Sequence, residues 1–305
     1  MSLGILFPGQ GINILQSLED WLSESEKVYR WVSAAVSMIR LDLDALFKHG
    51  GCALQATDVF QPVLTGLSVG ILEELEVAGS IKPSWVAGHS LGEIAALCCA
   101  GIMNGKQAVT IAGLRGRWMG KADHEHPGGM LALLGCGQKS IDEALDLGRR
   151  RGQIFLAAKN APDEWVLSGE ERALKEVAAR FKSVRLPVSG SFHGQSYSEA
   201  AQAFREELAR MKFFPPGVGI VSSLTGRPLK SIEELPDRLA EQLIRPILWS
   251  DTLSFMAASG VSKFLTIGPG KVMRGLVRKN LGNQFTVFGS DSPRELRQTM
   301  EVLTQ

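Results

Sequence analysis

The chain has 305 residues, 33 Lys and Arg against 32 Asp and Glu, a formal charge of +1, and 45% apolar residues. That apolar content excludes intrinsic disorder, and the balanced charge excludes a dedicated nucleic-acid binder, which needs a basic excess to neutralise phosphates. At roughly 100–200 residues per domain, the length fits one large domain or a large one with a smaller companion, and either can bury a substantial core.

In chain order, short apolar runs alternate with amphipathic segments, the pattern of an α/β protein. A buried strand is expected over 3–7, ending in the turn Pro8-Gly9-Gln10-Gly11. Helical patterns cover 15–38, a long buried helix covers 61–78, and a short strand covers 85–87. Helices follow from about Leu91 and over 107–121. Residues 123–129 (Asp-His-Glu-His-Pro-Gly-Gly) read as a polar, breaker-rich linker. Beyond it the pattern is strand 130–134, helix 141–150, strands 154–158 and 165–168, helix 171–181 and strand 183–187. This βαββαβ order is ferredoxin-like. The expected organisation is a small domain, 125–188, inserted into a larger α/β domain formed by 1–124 and 189–305. In the resumed large domain, strands are expected near Ile220 and Phe264, with a helix over 271–280.

No run of 18 apolar residues is present; the longest candidate, 94–103, is too short for a bilayer. The first basic residue is Lys27, which does not fit the charged start of a secretory leader. Cys52, Cys98, Cys99 and Cys136 form no C-x-x-C and read as reduced thiols of a cytoplasmic protein. No membrane or nucleic-acid partner is expected, and a monomer is the simplest assembly.

Gly88-His89-Ser90-Leu91-Gly92 fits G-x-S-x-G between a strand and a helix. A strand–turn–helix places the serine on a sharp bend, with glycines where bulk would clash. The Leu91 N–H at the helix start can then face a developing oxyanion. A serine nucleophile needs a base. His89 adjoins Ser90, but neighbours on a tight bend usually point apart. His49 lies in a Gly-containing loop, and His124 and His126 lie in the linker, where their H-x-H spacing is weak evidence for a metal; none is expected. His193, in a Gly/Ser-rich loop at the domain junction, is the first candidate. Arg115 lies within an apolar stripe with Ile111, Leu114 and Trp118. A guanidinium there is costly unless an anion meets it. On local sequence an internal pair with Asp or Glu is the simpler explanation; a carboxylated substrate between Ser90 and Arg115 is the other.

Taken together, these residues resemble the malonyl-CoA:acyl carrier protein transacylase family, including the discrete acyltransferases of polyketide synthesis. The matching stretches are Phe7-Pro8-Gly9-Gln10-Gly11, Gln61-Pro62, Gly88-His89-Ser90-Leu91-Gly92-Glu93, Arg115-Gly116, Pro187-Val188-Ser189 with Phe192-His193, Gln242 with Pro246 and Trp249, and Ile267-Gly268-Pro269-Gly270-Lys271-Val272. The resemblance implies an α/β-hydrolase-like large domain with an inserted ferredoxin-like small domain. It implies Ser90 as nucleophile, His193 as general acid/base, an oxyanion hole at Gln10 and Leu91, and Arg115 on the malonyl carboxylate. It also implies a backbone carbonyl near Gln242 orienting His193. Phe192 resembles the malonyl-type signature, and His89 is placed at the substrate. The implied substrates are malonyl-CoA and the phosphopantetheine thiol of an acyl carrier protein, in fatty-acid or polyketide biosynthesis, with no further cofactor.

Three stretches depart from the family pattern. Ile12-Asn13-Ile14-Leu15 replaces Ser-Gln followed by a Gly-Met motif. Gly194-Gln195-Ser196-Tyr197 replaces Ser-Pro-Leu-Met after the histidine. Ser223 stands where the family usually has Asn. An acyl-thioester hydrolase of a polyketide pathway, a non-catalytic carrier-docking subunit, and the transacylase subunit of malonate decarboxylase are the competing functions. Lys271, Arg274, Arg278 and Lys279 share one expected helix face and Arg149-Arg150-Arg151 forms a second cluster; either can steer an acidic carrier or the CoA phosphates.

Overall fold

Every residue of Leu3–Phe7 is buried, as a strand in the middle of a parallel sheet requires. The computed structural model describes residues 2–79 and 81–304. Its ten strands are β1 (Ser2–Phe7), β2 (Trp85–Gly88), β3 (Gly129–Leu134), β4 (Ile154–Ala161), β5 (Glu164–Gly169), β6 (Ser183–Arg185), β7 (Gly219–Ser222), β8 (Arg227–Pro228), β9 (Val261–Thr266) and β10 (Thr286–Phe288). Six form one sheet in the order β10-β9-β1-β2-β7-β8, parallel except for the edge pair β7–β8. This is the α/β-hydrolase-like large domain. The other four form an antiparallel sheet, β4-β5-β3-β6, whose chain order with helices Gln138–Arg149 and Glu171–Ala178 is the ferredoxin-like pattern.

The side-chain alternation of the small sheet explains how it is attached. Leu131, Leu133, Trp165 and Leu167 face one way and form a separate core with Ile141, Leu174 and Val177 of the two helices. Met130, Ala132 and Val166, one residue out of phase, join the core of the large domain. Strand β4 adds direct ties: Lys159 N–H donates to the Ile247 carbonyl (2.8 Å) and Ile247 N–H donates to the Ala157 carbonyl (2.9 Å).

Several boundaries differ from expectation. The helical region 15–38 is two helices, Leu15–Glu24 and Glu26–Met38. They part at Ser25, whose hydroxyl accepts from Val28 N–H and caps the second. The long helix begins four residues early, at Thr57. Residues 123–125 are not linker. Helix Gly105–Glu125 runs through them, because Lys121-Ala122-Asp123-His124-Glu125 contains no breaker and Pro127 is the first residue that stops it. Among the described residues, no helix is long and apolar enough to cross a membrane.

Candidate active site

The Gly88–Gly92 segment is a sharp elbow, and both glycines are required by close approach. A Cβ on Gly88 would collide with the Gly92 carbonyl carbon and the Glu93 amide. One on Gly92 would collide with the carbonyl oxygens of Phe7 and Pro8, where β1 ends. Ser90, at the apex, has φ +51°, in the left-handed region. Such conformations cost free energy in a non-glycine residue and collect at functional sites.

His193 is held in the same region, at φ +64°. Its Nε2 lies 2.9 Å from Ser90 Oγ, and its Nδ1 lies 2.6 Å from the Gln242 carbonyl oxygen. A carbonyl only accepts, so Nδ1 carries the proton and donates it. Nε2 is then the bare acceptor facing the serine hydroxyl. Burial, and then the neighbouring Arg115 charge, push the imidazole down to about 3 from its ordinary 6.5. It is therefore neutral, as a proton acceptor must be.

Arg115 is 2% exposed, and its partners are neutral. Nη1 donates to Gln61 Oε1 (3.0 Å), and Nη2 donates to Ser90 Oγ (3.0 Å) and Gln242 Oε1 (3.3 Å). Its Nε has no acceptor among the described residues. The nearest compensating charge is Glu93, whose carboxylate accepts from Ser223 N–H, Ser223 Oγ and Gln242 Nε2. The Gln242 amide stands between cation and carboxylate. Burial lowers the guanidinium to about 10, so it stays charged at neutral pH. The direct internal Arg–carboxylate pair that local sequence favours is thus absent among the described residues: Arg115 reaches Glu93 only through the Gln242 amide.

The cavity above Ser90 is lined from both domains, including Gln10, His89, His193 and Leu276 from the large one and Met130, Asn160 and Val166 from the small one. Phe192 and Ile12 also line it. His89 turns away from Ser90 toward Asn160 Oδ1 (2.9 Å) and packs against Trp249 at 5.3 Å between ring centres. Among the described residues, neither the Gln10 N–H nor the Leu91 N–H has an acceptor within the chain. The Gln10 side chain donates to Thr57 Oγ1 (3.1 Å).

The remaining candidates lie outside this cluster. His49 sits in an exposed turn, and His124 is exposed in the last turn of its helix. Among the described residues, no group of three His, Cys, Asp or Glu can hold a metal. The four-residue basic face is not uniform. Arg274 is drawn to Asp291 (2.8 Å) and Glu295 (3.5 Å), and Lys279 to Glu164 (2.5 Å), because carboxylates lie within reach of each. Lys271 and Arg278 are exposed and make no ion pair among the described residues. In the second cluster, Arg149 pairs with Asp146 and Arg151 with Glu176. Local sequence does not point to Glu93 or Asn160 as parts of the site. Glu93 carries a usable signal, a carboxylate within the apolar run after Ser90; Asn160 carries none.

A serine hydroxyl, a neutral imidazole oriented by a carbonyl, free backbone N–H donors and a buried guanidinium define the class: a serine–histidine acyl-transfer site on an α/β scaffold. The acyl transferase domain family matches residues 14–290. The malonyl CoA-acyl carrier protein transacylase of Escherichia coli K12 is 30% identical over 304 residues, covering 97% of this chain and 98% of that protein. A crystal structure of the Clostridium perfringens transacylase is similar with a TM-score of 0.89 and 28% identity, over 100% of this chain and 98% of that one. The malonyl-transacylase solved in complex with the type II polyketide synthase acyl-carrier protein AntF has a TM-score of 0.91 and 31% identity, over 99% of this chain and 100% of that one. The chain belongs to the malonyl-CoA:acyl carrier protein transacylase family.

Proposed function

We propose that this protein transfers a malonyl group from malonyl-CoA to the phosphopantetheine thiol of an acyl carrier protein, through a malonyl ester on Ser90. The observation that carries the acyl class is Arg115. A fully buried guanidinium, bonded only to neutral oxygens and with Nε unpartnered, suits an acyl group that ends in a carboxylate.

In this mechanism Ser90 Oγ gives its proton to His193 Nε2 as it attacks the thioester carbonyl. The Gln242 carbonyl steadies the imidazolium through Nδ1–H. The carbonyl oxygen becomes an oxyanion facing the Gln10 and Leu91 N–H groups. Collapse expels the CoA thiolate, which takes the proton back from His193. The carrier thiol then enters, gives its proton to His193 and attacks the malonyl ester. Ser90 leaves with that proton, and the enzyme returns to its starting state. Arg115 holds the malonyl carboxylate in both halves, so the acyl group does not leave its anchor between them.

We assign residues 125–188 as the inserted small domain, whose role is to close the cavity over Ser90. Lys271 and Arg278 are the basic residues best placed to meet an acidic carrier. We place the protein in the cytoplasm, the compartment that suits its four unpaired cysteines.

The direct test is incubation with labelled malonyl-CoA in the absence of any carrier. A malonyl adduct should appear on Ser90 and be absent from Ser90→Ala. Adding a phosphopantetheinylated carrier should discharge the label onto the carrier faster than into water. A wild-type protein that stays unlabelled, or one that releases chiefly free malonate in the presence of carrier, overturns the assignment. The second outcome would favour the hydrolase.

A further inference from the structure

Asp123 lies on the last turns of helix Gly105–Glu125, within the stretch that read as a linker, and nothing in the mechanism above uses it. Its carboxylate accepts from three hydroxyls, one at Thr57 and two on the loop that carries His193. Oδ1 accepts from the Tyr197 phenol. Oδ2 accepts from Ser189 Oγ (2.9 Å) and Thr57 Oγ1 (3.3 Å). Ser189 and Tyr197 bracket His193 on its loop. Thr57 in turn accepts from Gln10 Nε2 (3.1 Å), so the same carboxylate reaches the turn after β1 that lines the site.

The contacts around it are tight. A Cβ on Gly190, the residue after Ser189, would collide with Asp123 Oδ1 and the Tyr197 hydroxyl, so the loop backbone rests directly on this pair. Tyr197 is 0% exposed, and its ring meets Phe192, the residue before His193, edge-on at 5.9 Å. His193 itself is held at positive φ, a conformation that persists only where its surroundings over-determine it. Tyr197 is also one of the departures from the family pattern, standing where Met is usual.

We propose that Asp123 is a positioning residue for acyl transfer: its carboxylate ties the His193-bearing loop to the Gln10 turn and so sets the distance between imidazole, serine and oxyanion donors. This rests on the assignment of Ser90, His193 and Gln10 made above. It adds a carboxylate to the site without placing it on the histidine, whose Nδ1 is already engaged by the Gln242 carbonyl. Misplacement of such a group by a fraction of an ångström lowers the rate without weakening substrate binding.

The test is Asp123→Asn, which keeps the shape and removes one acceptor. Its readouts are the rate of Ser90 sulfonylation by phenylmethylsulfonyl fluoride and the kcat and KM for malonyl-CoA, all measured well below the thermal midpoint. Sulfonylation needs the serine–histidine pair but not the malonyl anchor. The expected result is a fall of about tenfold in both sulfonylation and kcat, with KM within about twofold of wild type. A folded variant that is sulfonylated at the wild-type rate, or whose loss is confined to KM, overturns the proposal. If Asp123→Asn does not fold, Tyr197→Phe decides: slower sulfonylation supports the tie, and an unchanged rate overturns it. A wild-type protein unreactive at Ser90 would instead overturn the transferase assignment, and this proposal with it.

Discussion

Arg115 and His193 are coupled, and the coupling has a sign that can be measured. Burial is the larger cause of the low His193 value of about 3, and the Arg115 charge is the second. A depressed folded value keeps the imidazole neutral as pH falls through 6.5, where an ordinary histidine would charge. The kcat/KM profile for Ser90 malonylation should therefore show no acid limb near 6.5. The unfolded chain does take up that proton, so the fold loses stability as pH falls from 6.5 toward 3 and gains none above 6.5. Arg115→Ala removes one cause of the depression, so any acid limb should move up in pH. The same variant should lose about 1.5–3 kcal/mol of transition-state binding for malonyl-CoA, roughly 10- to 150-fold in kcat/KM, and should favour acetyl-CoA relative to malonyl-CoA. Arg115→Lys keeps the charge but not the fork, and should fall between. Unchanged acyl selectivity in Arg115→Ala would make the guanidinium a purely structural group. Ser90, His193 and Arg115 were legible in the sequence because each sits in a local context that needs explaining: a Gly-framed bend, a Gly/Ser loop, an apolar stripe. Asp123 was not, since its donors are 66 and 74 residues away and its own neighbours are polar.

At the level of elements, the strand–turn–helix carries the site because three backbones converge where β1 and β2 end and helix Gly92–Cys99 begins. His89 N–H donates to the Phe7 carbonyl (3.0 Å), and a side chain on Gly92 would strike that same carbonyl oxygen. Gly92→Ala has no flexible neighbour to displace, only backbone. It should cost at least the 1–3 kcal/mol typical of overpacking and should move Ser90 off His193. Urea denaturation read together with Ser90 malonylation checks this, and a variant of wild-type stability with full labelling would contradict it. The elements legible in the sequence are those whose pattern is set locally, such as the short apolar runs of β3 and β5. Helix Gly105–Glu125 continues into 123–125 because nothing before Pro127 breaks it, and Asp123 is further anchored there by Tyr197, Ser189 and Thr57, none of which a local window contains. Helix Ser198–Leu208 and helix Pro293–Leu303 went unread, although the second shows a Ser292 cap accepting from Glu295 N–H and a proline at its first position.

Across the whole molecule, the cavity exists only where the small sheet meets the large domain, so the attachment of the two decides whether there is a site at all. That attachment is apolar and hydrogen-bonded at once. Met130, Ala132 and Val166 are buried in the large core, and the Ala158–Ile247 bridge extends β4 onto the segment after Gln242. Asn280 Nδ2 donates to the Asn160 carbonyl (2.8 Å), and Lys159 reaches Asp251 (3.2 Å). The one ion pair among these, Lys159–Asp251, is half-exposed and contributes little, about 0–1 kcal/mol. The shared core is the stronger term: burying a Met or Val side chain such as Met130 or Val166 contributes about 1.5–3 kcal/mol. A small sheet unfolding alone would expose one face of its own core and one face of its neighbour's. The two domains should therefore melt together. Far-UV circular dichroism, tryptophan fluorescence and loss of Ser90 labelling should follow one transition with one midpoint, the tryptophans spanning both parts, with Trp165 in the small sheet and Trp21 and Trp249 in the large core. Two resolved transitions, with the first abolishing labelling while Trp21 and Trp249 stay buried, would mean that the small domain is an independent lid and that the large core does not need its inward face.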